Sequence, residues 1–203
     1  MTVTYAILAV LRDGAKHGYA IRRNIQEMLG LLWPVNQGQL YSTLARLATR
    51  GWIALSAPGE GSAGGGTGAG RRYEIRPPGE RRLEEWLSRP TGFSAAPGEL
   101  HLKLHVAAAL GDQSRLLRVV ARQREALVAL ATTCRSHAHG TGTGAAGDRA
   151  SLPRVAAADL LEADVAWLSA IERELRAGVR MSGPDLSPPR ACMPTSTRTD
   201  GRS

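Results

Sequence analysis

Residues 52–75 read WIALSAPGEGSAGGGTGAGRRYEI, and the meaning of this stretch decides the fold. It contains a formal G-x-G-x-x-G at Gly59, Gly61 and Gly64. A dinucleotide cradle needs its glycines between a strand and a helix, so that the helix N-terminus meets the pyrophosphate. Here the segment after the glycines, Arg72-Tyr73-Glu74-Ile75, alternates as a strand does, and no G-K-[ST] completes a phosphate loop. In a run more than half glycine, the spacing is close to an accident of composition. Trp52-Ile53-Ala54-Leu55 is short and apolar, so the stretch reads as two strands joined by a glycine-rich loop. Arg71 and Arg72 flank that loop with positive charge.

Three helices precede the hairpin. Ile7, Leu8, Val10 and Leu11 suggest a first helix stopped at Asp13-Gly14. A second runs from about His17 to Leu29, with Tyr19, Ile21, Ile25, Met28 and Leu29 on its apolar side, and ends at Gly30 and Pro34. A third begins near Gln37, with Leu40, Leu44 and Leu47 as its buried stripe, and stops at Gly51. After the hairpin, Gly79 to Leu87 makes a fourth helix. Three helices followed by a hairpin is the order of a winged helix-turn-helix, and the glycine-rich loop is then the tip of the wing. A surface loop touching nothing is the plainer reading of the glycines.

With the leucine stripe buried, Gln39, Ser42, Thr43, Arg46 and Arg50 fall on the opposite side of the third helix, and Tyr41 lies beside the stripe. Glutamine pairs bidentately with adenine and arginine with guanine, while hydroxyls reach phosphates or base edges. Arg22, Arg23, Arg71 and Arg72 are candidates for phosphate contacts. An ordinary solvated helix face is the alternative, and the surrounding element order argues against it.

The same residues carry a family resemblance. Tyr5-Ala6-Ile7-Leu8, His17-Gly18-Tyr19-Ala20-Ile21, Gly38-Gln39-Leu40-Tyr41-Ser42-Thr43-Leu44 with Arg46-Leu47 and Gly51, and Arg72-Tyr73-Glu74-Ile75 with Gly79 resemble the PadR family of bacterial transcriptional regulators. The resemblance spans about residues 3–88. It implies a homodimeric winged-helix repressor whose C-terminal helices dimerise and which responds to a small, often aromatic, ligand. It places Gln39, Tyr41, Ser42, Thr43 and Arg46 on DNA, with Arg71 and Arg72 at the wing. The helices beyond residue 98, opening with Leu102-Lys103-Leu104, resemble the longer C-terminal domain of the virulence-activator-like subgroup. Two features depart from the family. Arg76-Pro77-Pro78 replaces the usual threonine cap of the fourth helix, and the wing is long.

Beyond the linker at 90–98, Glu99–Leu110 and Asp112–Arg135 are expected to be helical. Leu116, Val120, Leu127, Leu130 and Cys134 form a stripe that Gln123 interrupts. Residues 139–153 read as a glycine-rich mobile loop, Arg154–Ala177 as a last helix, and 181–203 as a disordered tail. In that last helix Leu161, Leu168, Ile171 and Leu175, with Trp167, are the candidates for an effector pocket or a dimer interface. Its carboxylates Asp159, Glu162, Asp164, Glu172 and Glu174 read as a solvated face.

Composition narrows the partner. The 203-residue chain carries 26 Lys and Arg against 18 Asp and Glu, a net +8, which favours a polyanion. Residues 1–89 hold 12 basic against 7 acidic residues, net +5, and residues 90–180 hold 11 against 9, net +2, so the bias sits with the N-terminal part. Two cysteines, Cys134 and Cys192, make no disulfide framework. The apolar run near the N-terminus is too short for a membrane span and unlike a signal peptide, so a cytoplasmic protein is expected. The pair His101 and His105 and the cluster Cys134, His137 and His139 lack the rigid ligand set of a metal site. No local spacing joins a nucleophile, a base and an orienting group. No cofactor, metal or enzymatic activity is therefore expected.

The fold expected is mainly α with a small β-hairpin wing: a winged helix-turn-helix (1–89), a linker (90–98), a C-terminal helical dimerisation and effector domain (99–180) and a tail. The function expected is a ligand-responsive homodimeric repressor on a two-fold symmetric double-stranded operator. A winged-helix protein–protein adaptor is the alternative. The polar and basic third helix, without apolar anchors, speaks against it.

Overall fold

A computed structural model describes residues 2–29, 36–56, 71–92, 98–139 and 145–180. Trp33, the wing tip at 59–70 and the tail at 181–203 lie outside the described residues. In chain order the elements are α1 (Thr2–Leu11), β1 (Lys16–His17), α2 (Gly18–Leu29), α3 (Gln37–Thr49), β2 (Ile53–Ser56), β3 (Arg72–Ile75), α4 (Pro77–Ser88), α5 (Glu99–Ala109), α6 (Gln113–His139) and α7 (Ala145–Arg176). The first seven make a winged helix-turn-helix and the rest are helical. Among the described residues, no helix is long and apolar enough to cross a membrane.

α1 is apolar on every side, and a helix of that kind must be enclosed. Ala6, Ile7 and Leu8 are fully buried, and α2, α3, α4 and α5 all pack around the helix. Tyr5 of α1 stacks on Trp86 of α4, with ring centroids 4.2 Å apart and planes 4° from parallel. The Trp86 indole N–H donates to Glu99 of α5 at 3.1 Å, so one ring ties three helices together.

The sheet has three strands rather than two, in the order β1-β3-β2, all antiparallel. β2 pairs with β3 in the register Ile53 to Ile75 and Leu55 to Tyr73. β1 adds Lys16 opposite Tyr73 and His17 opposite Arg72. His17 is thus a strand residue, not the start of α2. Two residues are too few to show an alternation, which is why the sequence pattern conceals this strand.

α3 starts with the Asn36 side chain accepting from the Gly38 N–H at 2.8 Å. It ends with Gly51 at φ +67°. The Gly51 N–H bonds Ala48 C=O at 2.9 Å and the Trp52 N–H bonds Leu47 C=O at 3.0 Å, a Schellman closure that aims the chain into β2. At α4, Arg76 makes no side-chain cap, and Pro77 and Pro78 occupy the first turn. The Arg76 N–H instead donates to Trp52 C=O at 2.9 Å. This brings Gly79 so close to β2 that a Cβ there would overlap the Trp52 carbonyl oxygen.

α6 and α7 form a long antiparallel pair, and α5 packs on α1 and α2 as well as on α6. The buried apolar residues make one cluster running from Val3 to Leu175. Three expectations are corrected here. α7 begins at Ala145, nine residues before the expected Arg154, so 145–153 is helix and not loop. Three alanines in that segment favour helix, although it also holds Gly147 and Pro153, which disfavour it. Glu172 is not solvated: it is 4% exposed and pairs with Arg124 at 2.7 Å and Arg176 at 2.6 Å. Gln123, 1% exposed, does not break the α6 stripe. Its amide accepts from the Thr91 N–H at 2.6 Å and donates to the Thr91 C=O at 2.9 Å, which satisfies both groups of a buried amide.

Gly79→Ala is expected to destabilise the protein by ~2–3 kcal/mol, because the added methyl meets backbone that cannot swing aside. Urea unfolding would show the loss as a lower midpoint at unchanged slope.

Candidate nucleic-acid interface

α3 buries Leu40, Leu44 and Leu47 completely. That fixes the rotation of the helix and turns Gln39, Tyr41, Ser42, Arg46 and Arg50 outward, where all five are exposed. Thr43 is corrected. It is 2% exposed and faces inward, since at one step from Leu44 and three from Leu40 it lies at the margin of the buried stripe. Its hydroxyl accepts from the Arg46 guanidinium at 3.3 Å, so it steadies an exposed arginine rather than meeting a ligand itself. The Ser42 hydroxyl donates to the Gln39 carbonyl at 3.0 Å. The Arg50 guanidinium stands 5.4 Å from the Trp52 ring centroid.

Tyr41 rests against the first turn of α2. A Cβ on Gly18 would lie 2.8 Å from its ring, so the glycine makes the space that the tyrosine uses. Tyr19, placed by periodicity on the apolar side of α2, is 73% exposed. Gly18, Ile21, Ile25 and Leu29 define the buried side, and Tyr19 lies two residues from Ile21, roughly 200° around the helix. It belongs with the exposed groups beside Tyr41, and counting that angle from Ile21 would have revealed it. Lys16 of β1 is a cation that the sequence pattern did not single out.

The wing arginines Arg71 and Arg72 are exposed. The Arg72 Nε–H donates to His17 Nε2 at 3.0 Å, which fixes one basic side chain at the base of the wing. Arg22 is half-buried, and Arg23 is exposed and 3.5 Å from Glu27. The structure therefore gathers a polar and basic surface from α3, with further arginines on α2 and at the wing.

The expected effector or dimer residues fall differently. Leu161, Leu168, Ile171 and Leu175 are buried within one chain, where they join α7 to the rest of the core, and of the four only Leu161 also lines a described cavity. Trp167 is half-buried, with its ring 4.9 Å from that of His101. Nearby is a cavity of about 210 Å³ whose walls include His101, Gln123, Leu127, Leu160, Leu161 and Asp164.

A family model described as "Transcriptional regulator PadR-like family" matches residues 7–85. Those residues are a PadR-like domain. Over 85 residues the chain is 32% identical to the negative transcriptional regulator PadR of Bacillus subtilis (strain 168), which is 42% of this chain and 44% of that protein. The match thus spans less than half of the curated relative. Among solved structures, Bacillus subtilis PadR in complex with operator DNA is 22% identical with a TM-score of 0.40, covering 86% of this chain and 99% of that one. Bacillus subtilis PadR in complex with p-coumaric acid is 21% identical with a TM-score of 0.38, covering 87% and 99%. The Vibrio cholerae virulence activator AphA is 19% identical with a TM-score of 0.36, covering 87% and 99%.

The PadR-like domain ends within α4, and α5 is the next element packed on it. α5 is buried around most of its circumference; Lys103 and His105 are buried with it, and His101 is half-buried. Burial pushes the His101 imidazole below its ordinary range, opposed by the charge of Asp164, and pushes the Asp164 carboxyl up, opposed by His101. Burial, with a small push from His101, also lowers His105. Lys103 is 2% exposed, donates to the Arg89 carbonyl and stands 5.3 Å from the Trp86 ring centroid. Burial lowers its ammonium to about 8, against the favourable charge of Glu99.

The depressed Lys103 gives a signed pH dependence. Between about 8 and its ordinary 10.5 the unfolded chain holds a proton that the folded chain has released. Stability therefore rises with pH across that window, and the benefit is lost as pH falls back through it. Unfolding free energies from pH 7 to 10 are expected to rise for the natural protein relative to Lys103→Met. Parallel curves for the two would refute the shift.

Proposed function

We propose that this protein is a DNA-binding transcriptional regulator, and specifically a ligand-responsive homodimeric repressor. The observation that carries the reading is the outward face of α3. Gln39, Ser42, Arg46 and Arg50 stand exposed over a leucine stripe with no exposure at all, so the reader is rigid and its chemistry suits base edges and phosphates. α3 enters the major groove. Arg71 and Arg72 reach the flanking backbone from the wing, and Arg22 and Arg23 add charge from α2.

The repressor sign follows the Bacillus subtilis relative, a negative regulator by name. Dimerisation is assigned to the α6–α7 pair. Val128, Val155 and Leu160 remain exposed on its outer surface although its inner residues are buried. A dimer would read two half-sites about one turn apart, ~10 bp or a multiple. That relative has been solved with p-coumaric acid. A small aromatic effector is accordingly assigned to this chain too, at the cavity beside His101 and Trp167. A ligand preferring one arrangement of the dimer lowers DNA affinity by its differential affinity for the two states.

The test is a titration against the DNA upstream of the protein's own gene at several salt concentrations, followed by selection of bound genomic fragments. A specific complex with a steep salt slope is expected. Arg46→Ala should weaken the selected operator by ~1–3 kcal/mol and relax the base preference at one position. Arg72→Ala should weaken all sequences alike and lower the salt slope by about 1. Sequence-blind binding throughout would favour the adaptor reading instead.

A further inference from the structure

A crevice of about 150 Å³ separates α4 from α6 and involves none of the residues of the DNA-reading face. Glu84, Leu87 and Ser88 line it from α4, and Arg115, Arg118, Val119 and Arg122 from α6. The three arginines are spaced i, i+3, i+7, so they share one face of α6. Like charges at such spacing repel along a helix, and their concentration there costs stability unless something offsets it.

The protein's own carboxylates offset little of it. Glu84 is already bound to Arg12 at 2.6 Å and reaches Arg115 at 3.3 Å. Asp112 caps α6 by accepting from the Arg115 N–H at 2.9 Å, and its other oxygen stands 3.9 Å from both Arg115 and Arg118. Arg118 keeps 62% of its side chain exposed. Arg122 makes no ion pair among the described residues; its polar contact is the Ser88 carbonyl at 3.5 Å. Three guanidinium groups against one carboxylate leave the lining at a net +2. The floor of Leu87 and Val119 is apolar, with Val119 6% exposed, so water screens the charge less there than on open surface.

We propose that this crevice is a binding site for a small oxyanion of two negative charges, a phosphoryl group or a dicarboxylate, gripped by Arg118 and Arg122 with Arg115 behind them. The guanidinium fork matches either group in a bidentate manner. The dimensions suit a small ion and not a strand of nucleic acid. An anion there joins the last helix of the PadR-like domain to the first helix of the α6–α7 pair, and so stabilises that contact. The site stands independently of the DNA reading.

The experiment uses the full chain and follows thermal unfolding and calorimetric titration with inorganic phosphate and, separately, with succinate, at ionic strength held constant with chloride. At least one probe is expected to bind saturably and raise the unfolding temperature as its concentration passes its Kd. Arg118→Ala with Arg122→Ala should weaken that binding at least tenfold, while Arg46→Ala should leave it unchanged. If the double alanine variant does not fold, Arg118→Gln with Arg122→Gln keeps side-chain length and serves in its place. Phosphate alone would identify a phosphoryl ligand, and succinate alone a dicarboxylate. Saturable binding of neither probe, or binding that survives the double substitution, overturns the proposal.

Discussion

The enclosure of α1 is the constraint on which the structure depends. A ten-residue helix with no polar side must be walled on every side, and four other helices supply the walls. α2 and α3 come from the helix-turn-helix, α4 returns from the wing, and α5 arrives from beyond the linker. The positions of the reading helix and the wing follow from this packing. Ile7 and Leu8 are fully buried, so a shift of α1 would be felt by each of its neighbours.

Most of this was legible in the sequence. Leu40, Leu44 and Leu47 repeat at helical spacing and set both the extent and the rotation of α3. Trp52–Leu55 and Arg72–Ile75 declared themselves as strands by short apolar or alternating patterns. What remained hidden was hidden for physical reasons. β1 is shorter than any period. Tyr19 is aromatic and reads as core, yet its angle from Ile21 turns it to solvent. Thr43 lies at the edge of a stripe, where a polar residue tips inward if a neighbouring arginine can use its hydroxyl. Gln123 looks like a break in an apolar stripe and Glu172 like part of a solvated face, and only the fold supplies Thr91 and Arg124 to satisfy them.

The buried polar groups divide into two kinds. Gln123 and Glu172 have their partners and act as fasteners, one between α6 and the segment after α4, the other between α6 and α7. Lys103 and His105 are buried, and His101 half-buried, because α5 is enclosed on so much of its circumference that even its polar positions face protein. Their shifted proton affinities follow from that enclosure. The outward residues of α3 lie outside this enclosure, so chemistry can change on that face without disturbing the interior beneath it.

The placement of α5 changes what counts as a transferable part. A piece ending near Ser88 would hold the exposed polar and basic face of α3 and the wing arginines, yet would leave α1 and α2 with an apolar flank open to water where α5 now packs. The smallest piece that could be grafted onto another regulator therefore extends to Ala109. Any exchange of the α6–α7 pair between such proteins has to be spliced after α5, in the short turn at Leu110 and Gly111, and not in the linker that precedes it.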